Sequence, residues 1–200
     1  LEGYKEMKTI HSKAVESGEN YLILCQHYDV YTIGENEKEE NFPVPAIKTD
    51  RGGSITFHGI GQPIFYFVFR VNSPKVFYRK VIKSFDEVFK ALSDKIYHDF
   101  KNPGFYIENR KLASLGFRYS KGYSLHGVAI NHSVDLKKFN IIKPCNLEGY
   151  RATSLMAEGI NIDIDTLKSE VVKKLQENFR WFYLFVDKGF LEKPFFVIIL

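Results

Sequence analysis

Two cysteines, Cys25 and Cys145, are the whole thiol content of this 200-residue chain. Such a pair forms neither a disulfide framework nor a recognisable zinc spacing, so the sequence is typical of a protein of a reducing compartment, the cytoplasm. No apolar run approaches the length of a membrane span, and no signal peptide is visible, so we expect no membrane contact. The chain opens at Leu1 rather than at Met, which leaves its natural start open.

A strong excess of charge is also lacking. The net charge is +4 and the isoelectric point about 8.9, without the clustered basic stripe that nucleic-acid binding requires. A mildly basic net charge without a basic stripe permits an acidic protein partner and predicts no nucleic-acid partner. Hydrophobic residues at 44% and charged residues at 26% exclude disorder and predict one domain over residues 1–200.

The periodicity of apolar residues predicts both helices and strands. Three adjacent antiparallel strands are expected to occupy the middle of the protein. The apolar segments 181–186 and 195–200 are too short to span a bilayer, and we expect them to pack against the sheet or a neighbouring molecule. The predicted elements are a helix over 4–17, a strand over 21–25, short strands over 47–50 and 54–57, a buried strand over 63–69, a helix from Ser73 to about 99, strands over 105–108, 111–119 and 123–131, and a last helix capped by Asp163 or Asp165.

A glycine-rich stretch, residues 51–62, runs directly into an apolar strand. Its sequence is Arg-Gly-Gly-Ser-Ile-Thr-Phe-His-Gly-Ile-Gly-Gln. Glycines at this density let the backbone turn with positive φ and let a ligand approach the main chain closely. The stretch matches neither a Walker loop nor a dinucleotide fingerprint. Two interpretations remain at this point: a loop whose N–H groups hold negatively charged oxygens, or a hairpin turn.

Cys145 is a candidate nucleophile because it follows a proline, in a segment of little regular structure, near Lys143 and Arg151. A cation that lowers the pKa of a thiol by about two units would raise the thiolate from about 3% to about three-quarters at neutral pH. The alternative is an inert packing residue.

His58 and His126 each precede a glycine at what should be a strand end. With Cys145 they are candidates for a Cys/His acyl-transfer pair or a metal site, and otherwise for hydrogen-bonded structural residues. Lys111 opens a predicted strand. It is a solvated cation unless the fold brings Cys145 close to it.

Three blocks of sequence stand in a fixed order: Asp50 to Gln62; Lys-Leu-Ala-Ser-Leu-Gly at 111–116 followed by Ser-Leu-His-Gly-Val-Ala-Ile-Asn at 124–131; and Ile-Lys-Pro-Cys at 142–145 with Thr153 a short way on. Together they resemble the lipoyl(octanoyl) transferases, the cofactor-free branch of the biotin/lipoate protein ligase superfamily. The first block follows the family pattern D-R-G-G-x-x-T-[YF]-H-G-P-G-Q, except that Ile60 replaces the proline. Lys143 and Asn146 also depart from the usual asparagine and glycine.

The resemblance implies an α+β fold, a single catalytic domain with a mixed, largely antiparallel central sheet flanked by helices. It implies Cys145 as the nucleophile that carries the acyl group and Lys111 as the cation that lowers the pKa of its thiol, with no cofactor and no metal. The main-chain N–H groups of 114–116 or 127–129 are the candidates for an oxyanion hole. The implied substrate-binding residues are Arg51, Gly52, Gly53, Ser54, Ile55, Thr56, Phe57, His58, Ser114, Leu115, Gly116, Gly127, Val128 and Ala129.

The implied reaction moves an octanoyl or lipoyl group from acyl carrier protein to a lysine of a lipoyl domain, in 2-oxoacid dehydrogenase complexes or the glycine cleavage H protein. Phe57, Phe65 or Phe67 are expected to line the acyl tunnel or, as the alternative, to pack in the core. The competing hypotheses are an ATP-dependent lipoate- or biotin-protein ligase, a non-catalytic acyl-carrier-binding module, and a thiol hydrolase that uses Cys145 and His126.

Overall fold

The computed structural model describes residues 2–142, 151–180 and 195–199. Two short 3-10 helices, Glu39–Asn41 and Leu136–Ile141, accompany the longer elements within these ranges. The longer elements are, in chain order, Glu2–Ser17 (α1), Tyr21–Cys25 (β1), Val30–Ile33 (β2), Ile47–Lys48 (β3), Thr56–His58 (β4), Ile64–Val68 (β5), Pro74–Leu92 (α2), Ile96–Asp99 (β6), Gly104–Ile107 (β7), Arg110–Ser120 (β8), Tyr123–Ile130 (β9), Arg151–Ala152 (β10), Ile164–Phe179 (α3) and Phe195–Ile199 (β11).

The main sheet has eight strands in the order β11-β1-β5-β9-β8-β7-β6, with β10 paired to β8. All of these neighbours are antiparallel except β10, which runs parallel to β8. Helices α2 and α3 cover one face of the sheet, where their apolar residues pack with Leu22 and Leu24. Helix α1 packs on the other face, against Tyr21 and Ile23. The predicted α+β fold, with a mixed, largely antiparallel sheet flanked by helices, is confirmed.

A smaller sheet, in the order β3-β2-β4, lies beside the main one. A separate apolar cluster supports it, including Ile33, Phe57 and Phe139. Ile142 belongs to this cluster and Ala152 packs against it. The two described ends of the chain around residues 143–150 are therefore held by one cluster.

The prediction that a single helix continues to about residue 99 is wrong. Helix α2 begins after Ser73, whose hydroxyl accepts a hydrogen bond from the Val76 N–H, and ends at Leu92. The chain then becomes extended at Ser93, and Ile96 pairs with Ile107 as the first residue of β6. The apolar side chain of Ile96 fits the helical period and reaches the same core from a strand, so periodicity alone could not separate the two.

Most other predicted elements agree with the structure to within a few residues. At the C-terminal end, β11 pairs with β1 and forms one edge of the main sheet, as expected for residues 195–199. Residues 181–186 lie outside the described residues. Within the described ranges, no helix combines the length and the apolar character needed to cross a membrane.

Strands β9 and β5 approach each other closely at Gly127 of β9. A Cβ atom built there would lie 1.8 Å from the carbonyl oxygen of Phe65 in β5. The cross-strand neighbour of Gly127 in β8 is Gly116, where a Cβ would come no closer than 3.4 Å to the oxygen of Gly52. Of these two glycines, Gly127 is the one that the contact between strands requires.

We predict that Gly127→Ala lowers the free energy of unfolding by about 3 kcal/mol, the upper part of the range for overpacking, because backbone must move to admit the methyl group. Gly116→Ala is the matched control and should cost less than about 1 kcal/mol. Urea denaturation of both variants checks this. Equal losses would show that the β5–β9 contact does not impose the glycine.

Candidate active site

A cavity of about 560 Å³ lies along β8 and β9, beside the glycine-rich stretch. Apart from Phe57, all of the residues that the sequence comparison implied as substrate-binding line it, and so does Lys111. Phe57 is fully buried, and its ring packs 5.1 Å from the Tyr31 ring and 5.4 Å from the Phe139 ring. Phe65 and Phe67 are also fully buried in the core. The structure thus places these three rings in packing positions.

The glycine-rich stretch is held in place by hydrogen bonds of Arg51 and by a close contact of its backbone with the loop that follows β2. The Arg51 guanidinium donates to the carbonyl oxygen of Thr32 at 2.6 Å and to its hydroxyl at 3.1 Å. Gly53 has φ +83°, and its carbonyl oxygen would lie 1.8 Å from a Cβ at Gly34. The stretch is therefore packed tightly on the loop that follows β2, and it forms a fixed wall of the cavity.

His126 lies in the middle of β9 rather than at a strand end, which corrects the prediction. It is buried, with φ +64°, and its Nε2 lies 2.7 Å from Oδ1 of Asp50. Lys8 and Tyr4 of α1 also donate to the Asp50 carboxylate, at 2.5 and 3.1 Å. The hydrogen bond from His126 holds the pKa of the Asp50 carboxyl well below its usual range, whereas burial lowers the pKa of His126. These bonds attach α1 to the cavity wall.

His58, which ends β4 as predicted, begins a chain of buried side-chain hydrogen bonds. Its Nδ1 lies 2.7 Å from Oε1 of Gln62, and Nε2 of Gln62 donates to Oδ1 of Asn131 at 2.8 Å. Because Oε1 can only accept, the proton of neutral His58 lies on Nδ1. Burial lowers the pKa of His58 to about 3, so the ring at the cavity is uncharged at neutral pH.

The amide of Asn131 continues this chain of hydrogen bonds to the backbone of β8 and of the residue that follows β10. Its Nδ2 donates to the carbonyl of Thr153 at 2.9 Å and contacts that of Lys111 at 3.4 Å. The Thr153 N–H in turn donates to the Lys111 carbonyl at 2.9 Å, and Ala152 is the register partner of Lys111. The chain that returns after residue 150 is thus fixed alongside Lys111.

The side chain of Lys111 is buried at the cavity, with the residue 6% exposed, and is not the solvated cation of the alternative interpretation. Its Nζ lies 5.6 Å from the centre of the Tyr106 ring. Cys145 and Lys143 lie outside the described residues. Cys25 is enclosed in β1, and burial raises the pKa of its thiol to about 12, which excludes it as a thiolate nucleophile at neutral pH.

Several residues of this site were not predicted. Asp50, Gln62 and Asn131 all stand inside the motif blocks, so the motifs themselves carried the signal. Tyr4 and Tyr106 lie outside those blocks. Only the fold brings Tyr4 to the cavity and Tyr106 to Lys111. Among the described residues, no three His, Cys, Asp or Glu side chains are grouped so that they could hold a metal ion.

Comparison with known proteins supplies an independent finding. The family model of the lipoyl protein ligase A/B catalytic domain matches residues 6–176. An octanoyltransferase of Wigglesworthia glossinidia brevipalpis is 33% identical over 192 residues, covering 88% of this chain and 87% of that protein. An octanoyltransferase of Dichelobacter nodosus is 37% identical over 174 residues, with 82% and 85% covered.

Solved structures agree on the fold. Lipoate-protein ligase A bound with ATP superposes with a TM-score of 0.70 at 14% identity, over 89% of this chain and 82% of that one. The bipartite lipoate protein ligase of Thermoplasma acidophilum gives a TM-score of 0.69 at 15% identity, over 88% and 79%. At these identities the likeness concerns the fold alone.

The buried His58 should make stability depend on pH. Its pKa in the native state is about 3, below the value of about 6.5 in the unfolded chain, so only the unfolded chain takes up a proton between these values. The contribution of His58 to the free energy of unfolding is therefore complete above pH 6.5. It falls with the pH, by about 2 kcal/mol between pH 6.5 and 4.5. Urea denaturation across this range should give a flatter profile for His58→Gln. An unchanged slope would mean that native His58 titrates normally.

The amide of Asn131 should be important for stability. We predict that Asn131→Leu costs about 2–3 kcal/mol, because it leaves the Thr153 carbonyl without its side-chain donor and removes the acceptor of Gln62 in a buried place. Asn178→Leu is the control. Its amide also makes two hydrogen bonds, to Glu87 and Lys174, but is half-buried, and its loss should cost less than about 1 kcal/mol. Similar losses in urea denaturation would contradict the role assigned to Asn131.

Proposed function

This chain belongs to the lipoyl protein ligase A/B catalytic domain family, and from this premise we propose that it transfers an octanoyl group from acyl carrier protein to a lysine of a lipoyl domain. Relatives named octanoyltransferase, 32–37% identical over most of the chain, support the reaction. The observation that carries the proposal is the position of Lys111. A buried lysine lies at a cavity, beside the strand that follows the segment bearing Cys145.

Covalent connection limits how far Cys145 can be from this lysine. Cys145 is three residues beyond Ile142, so their Cα atoms are at most about 11 Å apart. Ile142 and Ala152 pack in the same apolar cluster, and Ala152 pairs with Lys111. The described residues on either side of the segment that carries Cys145 therefore lie near the wall of the cavity. Their position supports the proposed pairing of Cys145 with Lys111.

The proposed reaction has two acyl transfers. The Cys145 thiolate attacks the carbonyl carbon of the donor thioester, and the carrier leaves as a thiol after taking up a proton. The neutral amine of the acceptor lysine then attacks the enzyme thioester and loses a proton, while the Cys145 thiolate departs. A thioester and an amine thus give an amide and a thiol. Because this exchange is downhill, it requires no ATP.

Lys111 has two tasks in this scheme. Its ammonium stabilises the Cys145 thiolate, which lowers the pKa of the thiol and raises the fraction of nucleophile at neutral pH. In the proposed scheme the same group passes a proton to the departing carrier thiol and later takes one from the attacking amine.

The sheet favours one of the two candidate oxyanion holes. Residues 127–129 of β9 lie between β5 and β8, so their N–H groups belong to strand ladders on both sides. Strand β8 loses its neighbour β7 after Ser114, and beyond that point the glycine-rich stretch approaches Gly116. We therefore assign the oxyanion donors to the backbone of residues 115–116.

The cavity suits an acyl chain. Burying the seven saturated carbons of octanoyl at about 0.8 kcal/mol each offers about 5–6 kcal/mol. His58 is neutral and Arg51 is tethered, so neither of these two residues presents a mobile charge to the chain. The net charge of +4 favours acidic carrier and lipoyl domains as transient partners, in a reducing cytoplasm where Cys145 stays a thiol.

The decisive experiment is intact-protein mass spectrometry after incubation with octanoyl-acyl carrier protein, without ATP. We predict an octanoyl adduct that hydroxylamine removes, because a thioester and not an amide is formed. Cys145→Ala should abolish the adduct, whereas Cys25→Ala, the matched control at the buried thiol, should keep it. Addition of a lipoyl domain should then move the octanoyl group to the acceptor.

Other results would overturn the proposal. An adduct that persists in Cys145→Ala would exclude Cys145 as the nucleophile. Loading of free octanoate only when ATP is present would indicate a ligase. Release of free octanoate instead of transfer would indicate a hydrolase, and carrier binding without any adduct would indicate a binding module.

A further inference from the structure

We propose that Tyr106 and Gly104 of β7 form a seat that positions the ammonium of Lys111, and that Tyr106 is a positioning residue for the reaction. The proposal rests on the function assigned to Lys111 above. Neither residue belongs to the motif blocks of the sequence. Both are brought to Lys111 only by the pairing of β7 with β8.

An irregularity in that pairing directs Lys111 towards Tyr106. Phe105 pairs with Ala113, but Tyr106 pairs with Lys111, so Leu112 is an extra residue in β8. Such a bulge re-aims the side chains that flank it. Leu112 and Ala113 pack in the core, whereas Lys111 turns to the cavity opposite Tyr106.

Gly104 provides the space that the lysine side chain crosses. A Cβ atom at this position would lie 2.7 Å from Cε of Lys111 and 2.8 Å from the carbonyl oxygen of Ala113. It would also lie 3.0 Å from Cε2 of Tyr106. The end of the Lys111 side chain therefore passes directly over Gly104, next to the tyrosine ring.

The Tyr106 ring then presents a fixed aromatic face to the ammonium. The ring is fully buried, its hydroxyl donates to the carbonyl of Asn102 at 2.8 Å, and it stacks on Tyr97 at 6.0 Å between centres. The Nζ of Lys111 lies 5.6 Å from the ring centre, within the range of a cation–π contact. Such a contact holds the ammonium of a lysine withdrawn from water in one place.

The ring and the hydroxyl of Tyr106 can be separated by substitution. Tyr106→Phe keeps the aromatic face and loses the bond to Asn102. Tyr106→Leu removes the face. Phe105→Leu is the matched control for lost packing, because Phe105 is an equally buried ring of β7 that packs instead against Phe89, 4.7 Å away.

The direct test is NMR of protein labelled with ¹³C at lysine, with the Lys111 signal assigned by its loss in Lys111→Arg. We expect the ε-methylene signal of Lys111 to be shifted upfield by the tyrosine ring current. The shift should be kept in Tyr106→Phe and in Phe105→Leu and lost in Tyr106→Leu. A signal that stays in place in Tyr106→Leu would overturn the seat, whatever the protein catalyses.

The catalytic test uses the same variants in octanoyl transfer. We expect kcat to fall about thirtyfold in Tyr106→Leu with the KM for the donor unchanged, the size expected for loss of a desolvated cation–π contact. Tyr106→Phe should stay within about twofold of the wild type, and Phe105→Leu should keep kcat while losing stability. An equal loss of kcat in Phe105→Leu would overturn the positioning role. If the wild type transfers no octanoyl group, the proposed function fails, and the NMR result still decides the seat.

Discussion

The buried amide of Asn131 is the constraint on which the arrangement of the site depends. It accepts from Gln62, donates to Thr153 and contacts the Lys111 carbonyl, and so joins the glycine-rich stretch, β8 and the chain that returns after residue 150. A buried amide is stable only when its partners are all in place. Its bonds therefore hold together three segments that are far apart in sequence. They fix the backbone of Lys111 beside the other two segments.

Charge is distributed unevenly around the cavity. The carboxylate of Asp50 pairs with Lys8 and is hydrogen-bonded to His126, and Arg51 is engaged with Thr32, so both charges act to hold backbone and helix in place. Burial keeps His58 and His27 neutral by lowering their pKa values to about 3 and about 4. Lys111 differs from these groups, because its ammonium lies over an aromatic ring at the cavity. A positive charge held there is suited to stabilising a thiolate.

Local patterns predicted most of the fold, because helix periods, caps and turns are properties of neighbouring residues. They failed at the end of α2, where Ile96 satisfies both a helical and a strand environment. They also failed at His126, which lies in mid-strand with a positive φ and a hydrogen bond to Asp50, a residue far away in sequence. The motif blocks contain about half of the residues that line the cavity, whereas others, such as Tyr4, Tyr66 and Tyr78, come from segments that the blocks do not include. The blocks could not show how Tyr106 meets Lys111, since that contact depends on one extra residue, Leu112, in the pairing of two strands.

The glycines have a role different from that of a phosphate cradle. At Gly53 and Gly34 they let two loops touch through their backbones, and at Gly127 they let two strands approach. The side chains that are absent at positions 52, 53, 116 and 127 leave the space of the cavity along the sheet. Where backbone bounds the pocket, no side-chain rotamer can rearrange, and a wall of fixed shape suits a flexible acyl chain. The glycine-rich stretch forms a wall of the pocket, and the proposed chemistry belongs to Lys111 and Cys145.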